Sequence, residues 1–262
     1  MKITVKLNIW RASLCFFLVG AAIFIREVAT AAPKTTIFIG QADVTTGDRL
    51  TFINPPNAKD DEPENREADN KFGGDACETV NIPLTAIVPG EMDKSMRAFT
   101  AQANPTLWFY VPYQEKAARL SLISKATGYR IFEENYQLNG TPGIIGITLS
   151  DISLEEGQDY RWVFEIICNP EDSSANMSVS GKIQRISFNQ PANFSELTAE
   201  QRAFIYAKNG LWSETMNTII QELRPLDREQ STRRLKELLQ SVGLEKIDPE
   251  QISPCCTPNQ QP

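Results

Sequence analysis

Between Cys77 and Phe188 apolar residues recur in short runs, mostly β-branched or aromatic. The runs are NIPLTAIVP, TLWFYVPY, RLSLIS, YRIFEENYQL, GIIGITL, DYRWVFEIIC and SVSGKIQRISF. Breakers such as Pro89-Gly90, Thr127-Gly128, Asn139-Gly140, Glu156-Gly157 and Asn169-Pro170 separate most of them. Seven short strands at this spacing predict a mainly β fold over residues 75–190, an immunoglobulin/fibronectin-III-like antiparallel β-sandwich. The clearest alternation sets Tyr160, Trp162, Phe164, Ile166 and Cys168 against Arg161, Val163, Glu165 and Ile167. The first set is expected to face inward, with Tyr160, Trp162 and Phe164 as core anchors. Leu154, a glycine turn and then Tyr160 also suit a tyrosine corner, in which the phenol hydroxyl bonds back to the main chain.

One run breaks the alternation. Leu107, Trp108, Phe109, Tyr110 and Val111 stand in a row, so both faces of that strand are apolar. Leu107, Phe109 and Val111 are expected in the core, which leaves Trp108 and Tyr110 needing a second cover.

After Phe188 the period changes to that of helices. LTAEQRAFIYAKNG opens on a capping box of Thr198 and Gln201 and stops at Gly210. LWSETMNTIIQELRP lines up Trp212, Met216, Ile219, Ile220 and Leu223 and stops at Pro225. DREQSTRRLKELLQSVG lines up Leu235, Leu238, Leu239 and Val242 and stops at Gly243. The pattern predicts a helical hairpin plus one further helix over residues 195–245. The hairpin resembles a single tetratricopeptide unit, which cannot bury its own apolar face. The helices are therefore expected to pack on the sandwich, with Trp108 and Tyr110 as further core anchors that form their floor; the alternative is an open aromatic platform for a ligand.

The two ends carry different signals. Lys2, Lys6 and Arg11 precede an uncharged, mostly apolar run from Ala12 to Ile25, and Ala29-Thr30-Ala31 follows. This is the layout of a secretory signal peptide over residues 1–31, cleaved before Ala32, and it is short for a membrane span. Residues 32–74 are expected to hold two short strands, TTIFIG and RLTFINPP, and then an acidic linker closed by Gly73-Gly74. The linker's carboxylates lack the spaced pattern of a calcium loop. Residues 246–262, rich in proline and polar residues, are expected to be a disordered tail.

Composition narrows the chemistry. Removing residues 1–31 takes away four basic residues and one acidic residue, leaving 231 residues with a net charge of −10. Such a chain, without a basic cluster, is a poor partner for nucleic acid. It contains no histidine, which rules out histidine-dependent general acid/base work and Ser-His-Asp or Cys-His nucleophiles and argues against catalytic zinc. In an oxidising compartment Cys77 and Cys168, at opposite ends of the β region, are the natural disulfide pair. Cys255 and Cys256 either link to another chain or are incidental. Glu133, Glu134, Asp151, Glu155 and Glu165 could supply a two-carboxylate site, but no spacing singles out a pair. No metal or cofactor is expected.

Taken in order, LTFINPP, GGDAC, LTAIVP, TLWFYVPY, the Gly-Ile after Pro142, LEEGQDYRWVFEIIC, GKIQRI and LLQSVGL resemble the cyanobacterial domain-of-unknown-function family 928. The resemblance runs from about Leu50 to Leu244. The acidic insertion before Gly73 departs from it. It implies exported proteins without an assigned activity, so no catalytic residue carries over. The expected function is a non-enzymatic binding or adaptor module of the periplasm or cell surface. Its partner would be an envelope protein or glycan, not nucleic acid, with no stable membrane insertion after signal cleavage. The alternatives are a structural envelope protein and a carboxylate-based hydrolase such as a glycosidase.

Overall fold

The computed structural model describes residues 48–58, 64–68, 77–91 and 94–258. The expected leader and its cleavage site, the strand expected over 35–40, most of the expected acidic linker and residues 259–262 lie outside them.

A 3-10 turn, Pro56–Ala58, precedes the strands β1 Glu64–Asn65, β2 Thr85–Ala86, β3 Gly90–Glu91, β4 Lys94–Ser95, β5 Ala98–Thr100 and β6 Thr106–Val111. The longer strands β7 Ala117–Ser124, β8 Arg130–Gln137, β9 Gly143–Thr148, β10 Asp159–Ile167 and β11 Met177–Arg185 follow. Then come the helices α1 Ala199–Lys208, α2 Trp212–Asn217, which continues as a π-helical stretch Thr218–Leu223, and α3 Arg228–Ser241, before a last strand, β12 Thr257–Pro258. The chain is thus mainly β with a helical C-terminal region. All seven predicted runs contain a strand. β1, β3, β4 and β5, each two or three residues long, had no legible run of their own.

The strands make three sheets, in the orders β12-β8-β7-β10-β11-β5, β2-β6-β9 and β1-β4-β3. Ladder pairing is antiparallel except where β5 joins β11 in parallel. The two sheets that contain β10 and β6 share one core. Phe109 on β6 stacks on Phe164 of β10 at 4.2 Å and meets Trp162 edge-on at 5.5 Å. Burial alternates strictly along β10, with Tyr160, Trp162, Phe164 and Ile166 inside, as period-two geometry requires. On β6 every residue is buried. Its Leu107, Phe109 and Val111 belong to the core between the sheets. Trp108 and Tyr110 belong to a second apolar cluster, made with Phe204, Trp212, Met216, Ile219, Leu235 and Leu239. Burying each such side chain contributes about 1.5–3 kcal/mol, so the helices and the outer face of β6 stabilise one another.

The helix ends are set locally. Thr198 and Gln201 form the reciprocal capping box of α1, and the Asp227 carboxylate accepts from the Gln230 amide to start α3. Gly210, at φ +69°, reverses the chain between α1 and α2.

Two expectations differ from the structure. The segment 49–56 is not a strand. Leu50 and Phe52 are buried, but the Leu50 amide donates to the Glu237 carboxylate (2.9 Å) and the Phe52 amide to the Ser241 hydroxyl (3.1 Å). The Ile53 amide donates to the Ala207 carbonyl (3.1 Å). Groups on α1 and α3 take the place of a neighbouring strand. The tail from 246 is also not loose. Ile247 is buried in the helical cluster, the Ile144 amide donates to the Gln251 carbonyl and the Ser253 amide to the Ile144 carbonyl, and β12 pairs with β8. Backbone pairing to strands more than a hundred residues away orders a segment whose composition reads as coil.

Candidate functional site

The seam between β6 and the helices is where polar chemistry gathers. The Trp108 indole donates to Asn217 Oδ1 (3.1 Å), and the Trp212 indole donates to the Ile87 carbonyl (2.7 Å). Ser213 closes a two-way link to Thr106: its hydroxyl accepts from the Thr106 amide and donates to the Thr106 carbonyl, both at 3.1 Å.

Glu214, in the first turn of α2, is buried at the same place. One carboxyl oxygen accepts from the Thr100 hydroxyl (2.9 Å), the Ala101 amide (2.6 Å) and the Gln102 amide (3.1 Å). The other oxygen is buried without a partner. Burial pushes the Glu214 carboxyl above its ordinary range, and these donors offset the shift only in part. Burial, with the charges of Glu214 and Glu222, also pushes the Tyr206 phenol up to about 12.

Two clefts open beside the seam. The first, of about 410 Å³, lies between the chain before β2 and the turn after α3. It is lined by Glu67, Ile82, Thr85, Leu244, Glu245 and Ile247, together with Asn81, Pro83, Gly243 and Lys246. Arg66, next in the chain to Glu67, is fully buried, and its guanidinium donates to the carbonyl of Val242 (2.7 Å), the residue before Gly243. Its Nε and Nη1 are buried without partners. Burial pulls the Arg66 pKa down to about 10 against the opposing pull of the Glu67 and Glu245 charges. This cleft offers carboxylates, amide hydrogen-bonding groups and apolar walls together. The second, about 420 Å³ and more open, is lined by Gln102, Asn104, Thr106, Thr148, Asn217 and Gln221 with Ala103. No charged residue lines it.

Of the residues singled out from the sequence, Cys77 and Cys168 are joined in a disulfide with Cα atoms 5.2 Å apart. Cys255 and Cys256 are bonded to each other. The Glu155 amide donates to the Tyr160 hydroxyl (3.1 Å), the bond of a tyrosine corner. The candidate carboxylates do not converge. Glu133 is held by Arg130 and the Ser121 hydroxyl. Glu134 accepts from the Tyr136 hydroxyl (2.6 Å), and burial together with that bond raises the Tyr136 pKa. Glu165 takes two bonds from Arg119 at 2.9 and 2.7 Å. None of these residues, nor Asp151 or Glu155, lines either cleft. Among the described residues no group of His, Cys, Asp and Glu could hold a metal ion.

Sequence reading passed over Arg66, Glu67, Glu214 and Glu245. Arg66 and Glu67 sit in a polar, acidic stretch that reads as a solvated linker. Glu214 had one legible signal: an acid in the first helical turn, which suggests a helix-end role rather than burial.

A family model described as Domain of Unknown Function (DUF928) matches residues 64–252. The match takes in the lining of both clefts and stops short of Cys255 and Cys256. No curated protein matches the chain.

Proposed function

The chain belongs to the DUF928 family, and from that premise we propose that it is an exported, non-enzymatic binding module of the periplasm or cell surface. Its binding site in this reading is the first cleft, and its partner a segment of an envelope protein. The observation that carries it is the lining: Glu67 and Glu245 stand beside Ile82, Pro83, Leu244 and Ile247 in one cavity of about 410 Å³. Apolar walls with a few placed polar groups are the usual make-up of a recognition site. Carboxylates there favour a segment with a basic side chain over a neutral glycan.

The frame reads as an immunoglobulin/fibronectin-III-like sandwich. In favour are the order β2-β6-β9 in one sheet and β8-β7-β10-β11 in the other, with the chain changing sheet after β6, β8 and β9. The parallel β5 beside the last long strand and the Tyr160 hydroxyl bond support the same reading. Export is supported by the leader-like sequence of residues 1–31 and by a disulfide that bridges distant parts of the chain.

Pull-down from envelope extract with wild type and with Glu245→Lys, a substitution at an exposed position, tests the site. The expected result is a captured species reduced at least about tenfold by the variant, since a reversed charge at a binding cleft costs on the order of 1.4 kcal/mol or more. Equal capture by both proteins contradicts the reading. A carboxylate-based glycoside hydrolase is favoured by one observation, that two glutamates line one cleft. Release of reducing sugar by wild type but not by Glu67→Gln or Glu245→Gln would put that reading first.

A further inference from the structure

The C-terminal segment 244–258 does more than order itself. Arg224 donates to the Glu250 carbonyl (3.3 Å), and Ile247 and Ile252 pack on the helical cluster. The segment then runs beside β9, where the Ile144 amide donates to the Gln251 carbonyl (2.6 Å) and the Ser253 amide to the Ile144 carbonyl (2.8 Å). The Ser253 hydroxyl donates to the Pro142 carbonyl (3.3 Å). The approach is close enough that a Cβ at Gly143 would lie 2.5 Å from Ser253 Oγ and 2.7 Å from the Gln251 oxygen. Four residues later β12 pairs with β8, Thr257 opposite Gln137 and Pro258 opposite Tyr136. Among the described residues β9 and β8 each have a single long neighbour, β6 and β7 respectively, so there the segment lies along the outer edges of the sheets that contain them. Cys255 and Cys256 sit between the two attachments, bonded to each other and packed on the core between the sheets.

We propose that the Cys255–Cys256 bond is a redox latch on this strap: while it is closed the strap covers the edges of β9 and β8, and its reduction lets the strap leave. A bond between adjacent residues closes only a small ring, so it restricts the unfolded chain far less than the Cys77–Cys168 bond across 91 residues does. What it restricts is the backbone of residues 255 and 256, which spans from the Ile144 attachment to the β8 attachment. The attachments on either side are few main-chain bonds at the ends of the sheets, and segments held by so few bonds open at a small fraction of the global unfolding free energy. Sheet edges left bare are ready templates for another extended chain, so a cover over them is a place where control has an effect.

The two disulfides differ at one sulfur: Cys77 is buried, whereas Cys168, Cys255 and Cys256 are all partly exposed, so the strap bond offers a reductant two reachable sulfurs and Cys77–Cys168 only one. A protein or small-molecule dithiol is the reductant. Its thiolate attacks one sulfur of the pair to give a mixed disulfide, and its second thiol displaces that sulfur. The reductant leaves with its own disulfide and two electrons fewer, and Cys255 and Cys256 are left as thiols.

The test uses the full mature protein. Graded dithiothreitol, differential alkylation and peptide mapping read which bond opens, and amide hydrogen exchange reads the strap at Ile144 and Ser253. The expected result is alkylation of Cys255 and Cys256 while Cys77–Cys168 stays closed, with exchange at both amides faster by at least about tenfold. A Cys255→Ser/Cys256→Ser double variant should show the same fast exchange without reductant and keep the parent's unfolding midpoint within a few degrees. Opening of Cys77–Cys168 first overturns the proposal. So does unchanged protection of Ile144 and Ser253 in the reduced protein or in the double variant.

Discussion

The strand β6 has two sides, and they are built by different rules. On the inner side Phe109 meets Phe164 and Trp162, and selection there is by shape and apolar area. On the outer side Trp108 and its helical neighbours are apolar too, but directed bonds frame the packing: Trp108 to Asn217, Trp212 to Ile87, Ser213 to Thr106 and Glu214 to residues 100–102. An apolar interface can slide, whereas hydrogen bonds to fixed backbone groups set one position. The difference explains why both clefts lie beside the seam: two surfaces that meet by a defined register leave gaps of defined shape, and polar groups line them.

The largest way to break this contrast is on the inner side. Trp162→Ala removes a fully buried ring, which also lies against Gly181, where a Cβ would come within 2.2 Å of it. The expected cost is about 3–5 kcal/mol, measured by urea unfolding. A midpoint near the parent's would mean the inner face is not held by shape. Next is the covalent tie of that same core: Cys77→Ala/Cys168→Ala opens a link across 91 residues. It should cost about 2–4 kcal/mol, read by the shift in thermal midpoint under non-reducing conditions.

The outer side should respond more to chemistry than to volume. Glu214→Ala leaves three donors from residues 100–102 without their acceptor and is expected to cost about 1–3 kcal/mol. Glu214→Gln keeps an acceptor and removes the charge. Because burial raises the Glu214 pKa above the ordinary carboxyl range, the folded state holds that proton more tightly than the unfolded state. Its stabilising contribution is therefore full below about pH 4.5 and is lost as pH rises through the folded pKa. Unfolding midpoints from pH 4 to 7 should show wild type losing stability relative to Glu214→Gln as pH rises. Parallel curves would contradict the assignment.

How far the sequence showed this depends on the range of the cause. The alternation in β10, the doubly apolar run in β6 and the capping box at Thr198 are effects of neighbours a few residues apart, and they were legible. The segment 49–56 reads as a strand because it carries a short run of β-branched and aromatic residues, Thr51, Phe52 and Ile53. Its amides instead find Glu237 and Ser241, nearly two hundred residues on, and nothing local announces that. The strap failed for the same reason, since its order comes from Ile144 and β8. The candidate site was the least legible part. Arg66 and Glu67 are in a polar stretch and Glu245 follows a helix stop, so only the docking of the helices brings their surroundings together.

The claim on which the rest depends is that the sheets and the helices form one cooperative unit through the seam. Urea unfolding of a protein comprising residues 32–262, followed at once by ellipticity at 222 nm for the helices and by tryptophan emission for Trp108, Trp162 and Trp212, tests it most directly. One shared transition, shifted equally at both probes by Trp108→Ala, is the predicted result. Helices that melt before the fluorescence changes, or a Trp108→Ala shift confined to one probe, would contradict it.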